Sequence, residues 1–326
     1  MKYIDLHCDT LMFTGTTQQA GQSLVQNDIA AIDLMKLKEG QCFLQFFAVF
    51  LLDETYFKYV DIDALPDEEY INLLSRHLKQ VIAENPEKID LALSFEDIVR
   101  NEKTGRLSAV LTIEDGRVLQ DDLAKIDSYY EQGFRLITLL WNHENCLGYP
   151  NSSDPQVMQR GLKAFGKESV EKMNELGMII DVSHLSDGGF YDVAEISSRP
   201  FMASHSNARA VTDHPRNLTD DMIRVLADCG GIAGLNFAPH FLREDNRENV
   251  SLIQDMVVHL NHMVDQGGDE FVSLGTDFDG VEGNFEIPGP QDMPLLFEAL
   301  DRAGWSDDRI EKFAYKNALR FLEDLL

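Results

Sequence analysis

The segment Tyr3-Ile4-Asp5-Leu6-His7-Cys8-Asp9 opens the chain with an apolar β-strand that ends in a histidine and an aspartate two residues apart. Successive side chains of a strand point to opposite faces, so we expect His7 and Asp9 to share one face and Cys8 to face away. Such a pair can bind one metal ion, but more often it is only hydrogen-bonded. The segment therefore predicts a metal site if other strand ends supply further ligands.

Apolar runs rich in β-branched residues recur along the chain and alternate with longer stretches of helical spacing. This alternation is typical of parallel strands joined by crossover helices. Eight strands are predicted, at 3–7, 43–50, 109–113, 134–140, 178–184, 200–206, 231–237 and 271–277. They fit an α/β fold of the (β/α)₈ TIM-barrel type, in which functional residues collect at the C-terminal ends of the strands.

The connections between the strands predict helices and one insertion. The spacing over 156–176 predicts a helix that stops at Gly177, and Thr219 is a capping residue for a helix that ends at Gly230-Gly231. The stretch 52–90 is too long for a simple connection, and 86–97 is predicted to add an outer strand pair. We expect residues 1–326 to form a single barrel domain with insertions at about 52–108.

Composition argues against several partners. The 56 acidic and 28 basic residues give a formal charge of -28, which repels nucleic acid and anionic membrane surfaces. The four cysteines lie far apart without a CxxC pair, so we expect reduced thiols. We recognise no secretory signal, and the apolar run around 43–52 is too short to span a bilayer. We expect a soluble cytoplasmic protein without a nucleic-acid or membrane partner.

Residues able to bind metals lie at the same end of the predicted strands. They are His7, Asp9, Glu114, His184, His205 and Asp277. Each alone is better explained as a buried polar residue or a helix cap, but their shared position indicates a metal centre. Imidazole and carboxylate ligands without thiolates suit Zn²⁺, with Mn²⁺, Co²⁺ or Fe²⁺ as substitutes.

The ligand set is larger than one catalytic zinc requires, since such sites keep about three protein ligands and an open position. A carboxylate shared by two ions accounts for the surplus, and Glu114 is the best candidate for this bridge. Two divalent ions keep the pocket cationic, which favours a carbonyl oxygen or a carboxylate as the bound group. His259 and His262 also have helical ligand spacing, but without a further partner we expect them on a solvated face.

Seven motifs extend over nearly the whole chain: DLHCDTL (5–11), TIEDG (112–116), GMIIDVSH (177–184), ASHSNARAV (203–211), HPRNLTDDM (214–222), GGIAGLNF (230–237) and SLGTDFDG (273–280). They resemble the renal (membrane) dipeptidase family, peptidase family M19, of the amidohydrolase superfamily. The resemblance implies a barrel with two zinc ions per subunit that hydrolyses the peptide bond of dipeptides. It assigns one zinc to His7, Asp9 and Glu114, and the other to Glu114, His184 and His205.

The resemblance also implies catalytic and substrate-binding roles. A hydroxide between the two zinc ions, which Glu114 would bridge, would attack the scissile carbonyl. Asp277 would take up the proton of the nucleophile and pass it to the leaving amine. Asp277 could otherwise be a turn residue, and Asp279 is the less favoured substitute. Arg216, with Asn217 beside it, is predicted to bind the C-terminal carboxylate of the dipeptide; a lone Arg would otherwise be a surface charge.

One position departs from the animal members of the family, which have a substrate-binding histidine just after the fourth strand. Matching the motif TLL without gaps places Trp141 there, followed by Asn142 and His143. His143 is therefore a candidate for the substrate-binding role, with a loop histidine as the alternative. Trp141 and Asn142 are equally able to line the pocket.

Two other classes of function share some of these sequence features. Another amidohydrolase, of the lactonase, phosphotriesterase or deaminase type, shares the barrel but normally begins with H-x-H and often bridges its metals with a carboxylated lysine. A non-catalytic barrel that binds a small molecule would not need the complete ligand set. Among dipeptidases, the resemblance also suggests L,D-dipeptides and carbapenem-type β-lactams as substrates, and a homodimer as the assembly.

Overall fold

The computed structural model describes residues 1–17 and 21–326, and its centre is a closed barrel of eight parallel strands. The strands of the described residues are β1 (Tyr3–Asp5), β2 (Cys42–Phe50), β3 (Ile89–Leu91), β4 (Leu107–Glu114), β5 (Phe134–Thr138), β6 (Ile179–Asp181), β7 (Met202–Ala203), β8 (Ile232–Leu235), β9 (Val250–Ser251), β10 (Val272–Leu274) and β11 (Asn284–Phe285). The barrel order is β1, β2, β4, β5, β6, β7, β8 and β10, and β10 pairs with β1. The predicted (β/α)₈ barrel is confirmed.

Helices follow the barrel strands along the chain. They are α1 (Leu11–Thr14), α2 (Leu34–Gly40), α3 (Glu54–Tyr59), α4 (Asp67–Glu84), α5 (Phe95–Thr104), α6 (Ala124–Glu131), α7 (Pro155–Met158), α8 (Ala164–Leu176), α9 (Asp187–Ile196), α10 (Asp220–Asp228), α11 (Pro239–Leu242), α12 (Ile253–Gly267), α13 (Pro294–Arg302), α14 (Asp307–Glu311) and α15 (Asn317–Leu325). The predicted helix stop at Gly177 is confirmed, since this glycine follows α8 with a φ of 77°. Thr219 caps α10 as predicted by accepting a hydrogen bond from the backbone N–H of Met222.

Several barrel strands end earlier than predicted. β6 ends at Asp181 instead of 184, and β10 ends at Leu274 instead of 277. His184 and Asp277 instead have left-handed backbone conformations, with φ angles of 69° and 61°, which a regular strand does not contain. Both residues therefore lie on tight loops just beyond the strands, and strain of this kind at non-glycine residues is concentrated at functional sites.

The segment 86–97 forms one strand and the start of a helix, so the predicted outer strand pair is wrong. β3 pairs in parallel with the first residues of β4, from Ile89 opposite Leu107 to Leu91 opposite Ala109. A helix follows at once because Ser94 and Asp97 form a capping box: the Ser94 side chain accepts from the Asp97 N–H, and the Asp97 side chain accepts from the Ser94 N–H.

The region 156–176 is divided into α7 and α8, so the single helix predicted there is wrong over its first part. The backbone N–H of Leu162 donates to the carboxylate of Asp192 at 2.7 Å, and not to a helical carbonyl. Lys163 is extended, with ψ at 166°, and regular helix begins only at Ala164.

Two apolar clusters lie on opposite faces of the barrel strands, and adjacent residues such as Ile179 and Ile180 alternate between them. One cluster lies between the barrel and the helices, and the other fills the interior together with Phe321 of α15. Asn317 donates to the carbonyl of Val272 at the start of β10, and Arg320 donates to the carbonyl of Gly230 before β8. Helix α15 therefore covers the N-terminal end of the barrel.

Candidate active site

The first group of predicted ligands meets around His7, just beyond the end of β1. His7 Nε2 lies 3.5 Å from Asp9 Oδ2, 3.3 Å from Glu114 Oε2 and 3.8 Å from Asp277 Oδ1. All four residues are buried. The sulfur of Cys8 is directed elsewhere, towards the carbonyl of Phe46, so Cys8 faces away from His7 and Asp9 as expected. Regular strand alternation is not the cause, because β1 ends at Asp5 and Cys8 packs in a different apolar cluster from Ile4 and Leu6.

The second group contains the two other histidines and the other oxygen of Glu114. His184 Nε2 lies 3.2 Å from Glu114 Oε1 and 3.1 Å from His205 Nε2, and His205 Nε2 lies 3.9 Å from the same oxygen. Each carboxylate oxygen of Glu114 thus faces a different set of ligands. Glu114 reaches this position because β4 is long and ends beside Phe50 of β2.

These residues fit divalent metal ions. His7 Nε2 and Asp9 Oδ1 are buried without a hydrogen-bond partner among the described residues. Two nitrogens bound to zinc at about 2.0–2.1 Å with tetrahedral angles lie about 3.3 Å apart, close to the separation of His184 Nε2 and His205 Nε2. A set of nitrogen and carboxylate donors without thiolate suits zinc and other first-row divalent ions.

The electrostatics of the two groups differ. Burial alone would lower the pKa of His7. The negative charges of Asp9 and Glu114 have the larger effect, so the pKa of His7 is raised well above its usual value. Burial and the charge of Arg216 lower the pKa of His184 to about 4, and burial with the charge of His7 lowers that of His205. The second group is therefore ready to bind as neutral imidazoles, whereas His7 holds a proton unless a cation replaces it.

Asp277 lies at the edge of the first ligand group, and one of its oxygens is held by Asn236. The amide of Asn236 donates to Asp277 Oδ2 at 2.8 Å and to the carbonyl of His205 at 3.2 Å. Burial raises the pKa of Asp277. Asp279 is engaged elsewhere, since its carboxylate accepts hydrogen bonds from the Thr10 hydroxyl and the Ala31 N–H.

Arg216 is a buried cation, only 5% exposed. Its guanidinium donates to the Ser206 hydroxyl and to the carbonyl of His205, at 3.2 and 3.1 Å, and lies 5.3 Å from the ring centre of Phe241. Nε has no partner, and no carboxylate of the described residues lies within 4.0 Å of it. Burial lowers its pKa. A buried guanidinium with no carboxylate in direct contact is suited to bind an anionic group.

A cavity of about 650 Å³ adjoins this site, which is ample for a small ligand. Phe241, the aromatic neighbour of Arg216, lines one side of it, and Gly280, next to Asp279, lines another. Tyr56 of α3 also lines the cavity. The segment between β2 and β4 therefore contributes to the mouth of the barrel.

The remaining predicted substrate residues have different surroundings. The Asn217 amide donates to the carbonyls of Thr212 and Phe241, while its Oδ1 has no partner among the described residues. His143 is exposed and its ring contacts Trp141. From the same loop, Asn142 contacts a predicted metal ligand directly, with its Oδ1 3.1 Å from His184 Nδ1.

The prediction of a solvated histidine face on α12 is wrong for His259. This residue is fully buried, its Nδ1 accepts from the Ala208 N–H at 3.1 Å, and its Nε2 lies 3.1 Å from the carbonyl of Leu242. His262 is only half-buried and pairs with Asp220. His259 joins α12 to the end of α11 and to the loop that contains Ala208, and it has no part in the predicted metal site.

Two buried aspartates support the site and were missed by the sequence analysis. Asp5 accepts hydrogen bonds from Gln45 of β2 and from the backbone and hydroxyl of Thr276 beyond β10. Asp181 of β6 accepts from Thr138 and Ser204 in the same way. A charged residue inside an apolar strand, shortly before a metal ligand, is the signal that could have identified both.

A parallel barrel with two carboxylate-linked groups of predicted metal ligands at the C-terminal ends of its strands is typical of metal-dependent hydrolases. The membrane dipeptidase family model (peptidase family M19) matches residues 1–325. The chain belongs to this family and is by class a metallo-dipeptidase. No helix of the described residues is long and apolar enough to cross a membrane.

Three relatives illustrate the similarity. An uncharacterized protein of the pqqA 5' region of Klebsiella pneumoniae is 34% identical, with 76% of this chain and 93% of that protein covered. An uncharacterized dipeptidase of Schizosaccharomyces pombe is 30% identical, with 88% and 70% covered. The crystal structure of a Rhodobacter sphaeroides metallopeptidase, liganded with a phosphinate mimic of L-Ala-D-Ala, superposes with a TM-score of 0.89 at 26% identity, covering 100% of this chain and 99% of that one.

Proposed function

We propose that this chain is a dipeptidase that uses two zinc ions bridged by Glu114. The observation that carries the proposal is the division of the Glu114 carboxylate, whose Oε2 faces His7 while Oε1 faces His184 and His205. His7, Asp9 and Glu114 would hold one ion, and Glu114, His184 and His205 the other. When bound, such a pair of ions supplies a hydroxide nucleophile at neutral pH and polarises a carbonyl.

The protein residues would orient the substrate and move the proton. Asp277 has one oxygen fixed by Asn236, which leaves Oδ1 on the His7 side to accept the proton of the nucleophile and return it to the leaving amine. Arg216 has an unpartnered Nε and terminal nitrogens that can bind a carboxylate in the bidentate geometry of a guanidinium. A free carboxylate one residue beyond the scissile bond would then select dipeptides over longer peptides.

L,D-dipeptides are included in the proposed substrate class. A related metallopeptidase of Rhodobacter sphaeroides is liganded with a phosphinate mimic of L-Ala-D-Ala, and this chain matches it over its full length. Carbapenem-type β-lactams also contain a cyclic amide and a carboxylate, and they belong in the same assay. A role for His143, a homodimer and a cytoplasmic location stay predictions.

A panel of L,L- and L,D-dipeptides and one carbapenem tests the proposal. Amino-acid release should require metal, disappear after chelation and return with zinc, and metal analysis should find two ions per chain. Matched dipeptide amides, which lack the carboxylate, should be poor substrates. No turnover of any dipeptide by the metal-loaded protein, or fewer than about two ions per chain, would contradict it.

A further inference from the structure

The two histidines of the second ligand group are supported in different ways. His184 Nδ1 contacts the side-chain oxygen of Asn142, a residue on an exposed loop. His205 Nδ1 instead lies 2.7 Å from the hydroxyl of Ser204, which lies 2.6 Å from Asp181 Oδ2. Asp181, Ser204 and His205 are all fully buried. A neutral loop residue thus contacts one ring, and a buried carboxylate lies behind the other.

The hydrogen bonds around Asp181 determine which atoms carry protons. Its Oδ1 accepts the backbone N–H groups of Ser183 and Ser204, at 3.0 and 2.9 Å. Its Oδ2 accepts the hydroxyls of Thr138 and Ser204, at 2.7 and 2.6 Å. An ionised carboxylate cannot donate, so the single hydroxyl proton of Ser204 is directed to Asp181.

The direction of this proton fixes the tautomer of His205. With its own proton engaged, Ser204 Oγ can only accept a hydrogen bond from the imidazole, so Nδ1 of His205 bears the hydrogen. Nε2 is then unprotonated, and this is the atom directed at His184 Nε2 and Glu114 Oε1. A histidine binds a divalent ion through an unprotonated nitrogen.

We propose that Asp181 is a positioning residue that acts through the Ser204 hydroxyl to hold His205 in the orientation and tautomer required to bind one of the two metal ions. The inference rests on the binuclear centre of the proposed function. Asp181 itself does not touch substrate or metal, and its effect should be confined to the ion shared by Glu114, His184 and His205. The ion of the His7 group should be affected only through the bridge.

Thr138 offers a matched control. Its hydroxyl donates to the same oxygen of Asp181 at nearly the same distance as that of Ser204, but it has no bond to a metal ligand. Thr138→Val and Ser204→Ala each remove one buried hydroxyl from Asp181. A purely structural role of the network predicts similar effects of both substitutions.

Asp181→Asn is a sharper variant because the backbone N–H groups at Oδ1 cannot rotate. The amide must place its oxygen there and its NH₂ group at the Oδ2 position, where it donates to Ser204 Oγ. Ser204 then turns its proton towards His205 Nδ1, which shifts the imidazole hydrogen to Nε2. The tautomer is inverted, so the loss of metal affinity should be at least that of Ser204→Ala.

Calorimetric titration of the metal-free proteins with zinc, in the presence of a competing chelator, measures both sites. In Ser204→Ala one of the two binding events should weaken about 10–100-fold while the other keeps the wild-type affinity. Thr138→Val should keep both affinities, whatever its cost in thermal stability. Two-bond ¹H–¹⁵N correlation of histidine-labelled protein should show His205 of the wild type with its hydrogen on Nδ1.

The proposal is overturned if Ser204→Ala and Thr138→Val give the same isotherm, if Ser204→Ala weakens both sites equally, or if His205 carries its hydrogen on Nε2 in the wild type. Failure of the proposed function gives a different result, because the wild-type protein itself would then bind fewer than two zinc ions per chain. Thermal unfolding of each metal-free variant shows whether a loss of binding follows from a loss of folding.

Discussion

His184 and His205 approach each other through their Nε2 atoms, 3.1 Å apart. In the tautomers proposed above, in which both Nδ1 atoms carry the hydrogen, the two Nε2 atoms present lone pairs, which repel each other unless a cation lies between them. The structure keeps them together because each ring is also held at Nδ1, by Asn142 or by Ser204. The fold thus holds these two predicted ligands together in the arrangement that the proposed metal site requires.

Glu114→Gln should reduce the zinc content from two ions per chain to below one. The carboxylate faces both ligand groups, so its neutral isostere weakens both sites and leaves little dipeptidase activity. Mass spectrometry of dialysed protein measures the metal. Asp279→Asn is the control, because that carboxylate accepts hydrogen bonds from Thr10 and Ala31 and does not face the ligand groups. The metal content of this variant should equal that of the wild type.

Asp277→Asn should lower kcat about 10²–10⁴-fold, the usual contribution of a positioned acid–base group. The amide can still contact Asn236 but cannot take up a proton. Steady-state kinetics on one L,L-dipeptide, with zinc content measured in parallel, distinguish this effect from metal loss. A variant with two zinc ions and unchanged kcat would show that the proton is transferred by another group.

Arg216→Gln should raise KM for dipeptides about 10–100-fold, as expected for the loss of a charge-assisted hydrogen bond worth about 1.5–3 kcal/mol. The effect of the substrate carboxylate is measured by comparing each dipeptide with its matching amide, which lacks that carboxylate. Wild type and variant should hydrolyse the amide with similar kcat/KM. An equal loss on both substrates would assign Arg216 to the architecture of the site.

Zinc binding should release protons and strengthen as pH rises above about 6.5. The raised pKa of His7 means that the metal-free protein holds a proton there at neutral pH, and this proton must leave before Nε2 can bind the ion. Calorimetry in buffers of different ionisation enthalpy counts the protons released. The count should fall in His7→Gln, and a wild-type count of zero at pH 7 would contradict the assignment.

The stability of the metal-free protein should fall as pH falls from about 6.5 to 4, partly because of His259. Burial lowers its pKa to about 4 in the folded state, so the unfolded chain takes up a proton first. The stabilisation is fully present above about pH 6.5 and amounts to about 3 kcal/mol. In His259→Gln, denaturant unfolding should show a shallower pH dependence over this range. Equal slopes in both proteins would exclude this contribution.

The sequence predicted the barrel and all six residues that meet at the catalytic end because strand periodicity and residue type are local properties. It misplaced the ends of β6 and β10 because His184 and Asp277 adopt left-handed conformations that tertiary contacts impose. The contacts of Asp181 and Asn236 were not predictable for a similar reason. Each forms a hydrogen bond with a residue more than twenty positions away.

Helix α15 closes one end of the barrel by placing Phe321 in the apolar interior. The interior is packed with side chains, so substrate and products are expected to enter and leave at the other end of the barrel, where the predicted metal ligands lie. A cleaved dipeptide yields two amino acids, and both must depart by the route through which the next substrate arrives. The carboxyl-terminal product, whose carboxylate would still be bound by Arg216, is therefore expected to leave last and to act as a competitive inhibitor.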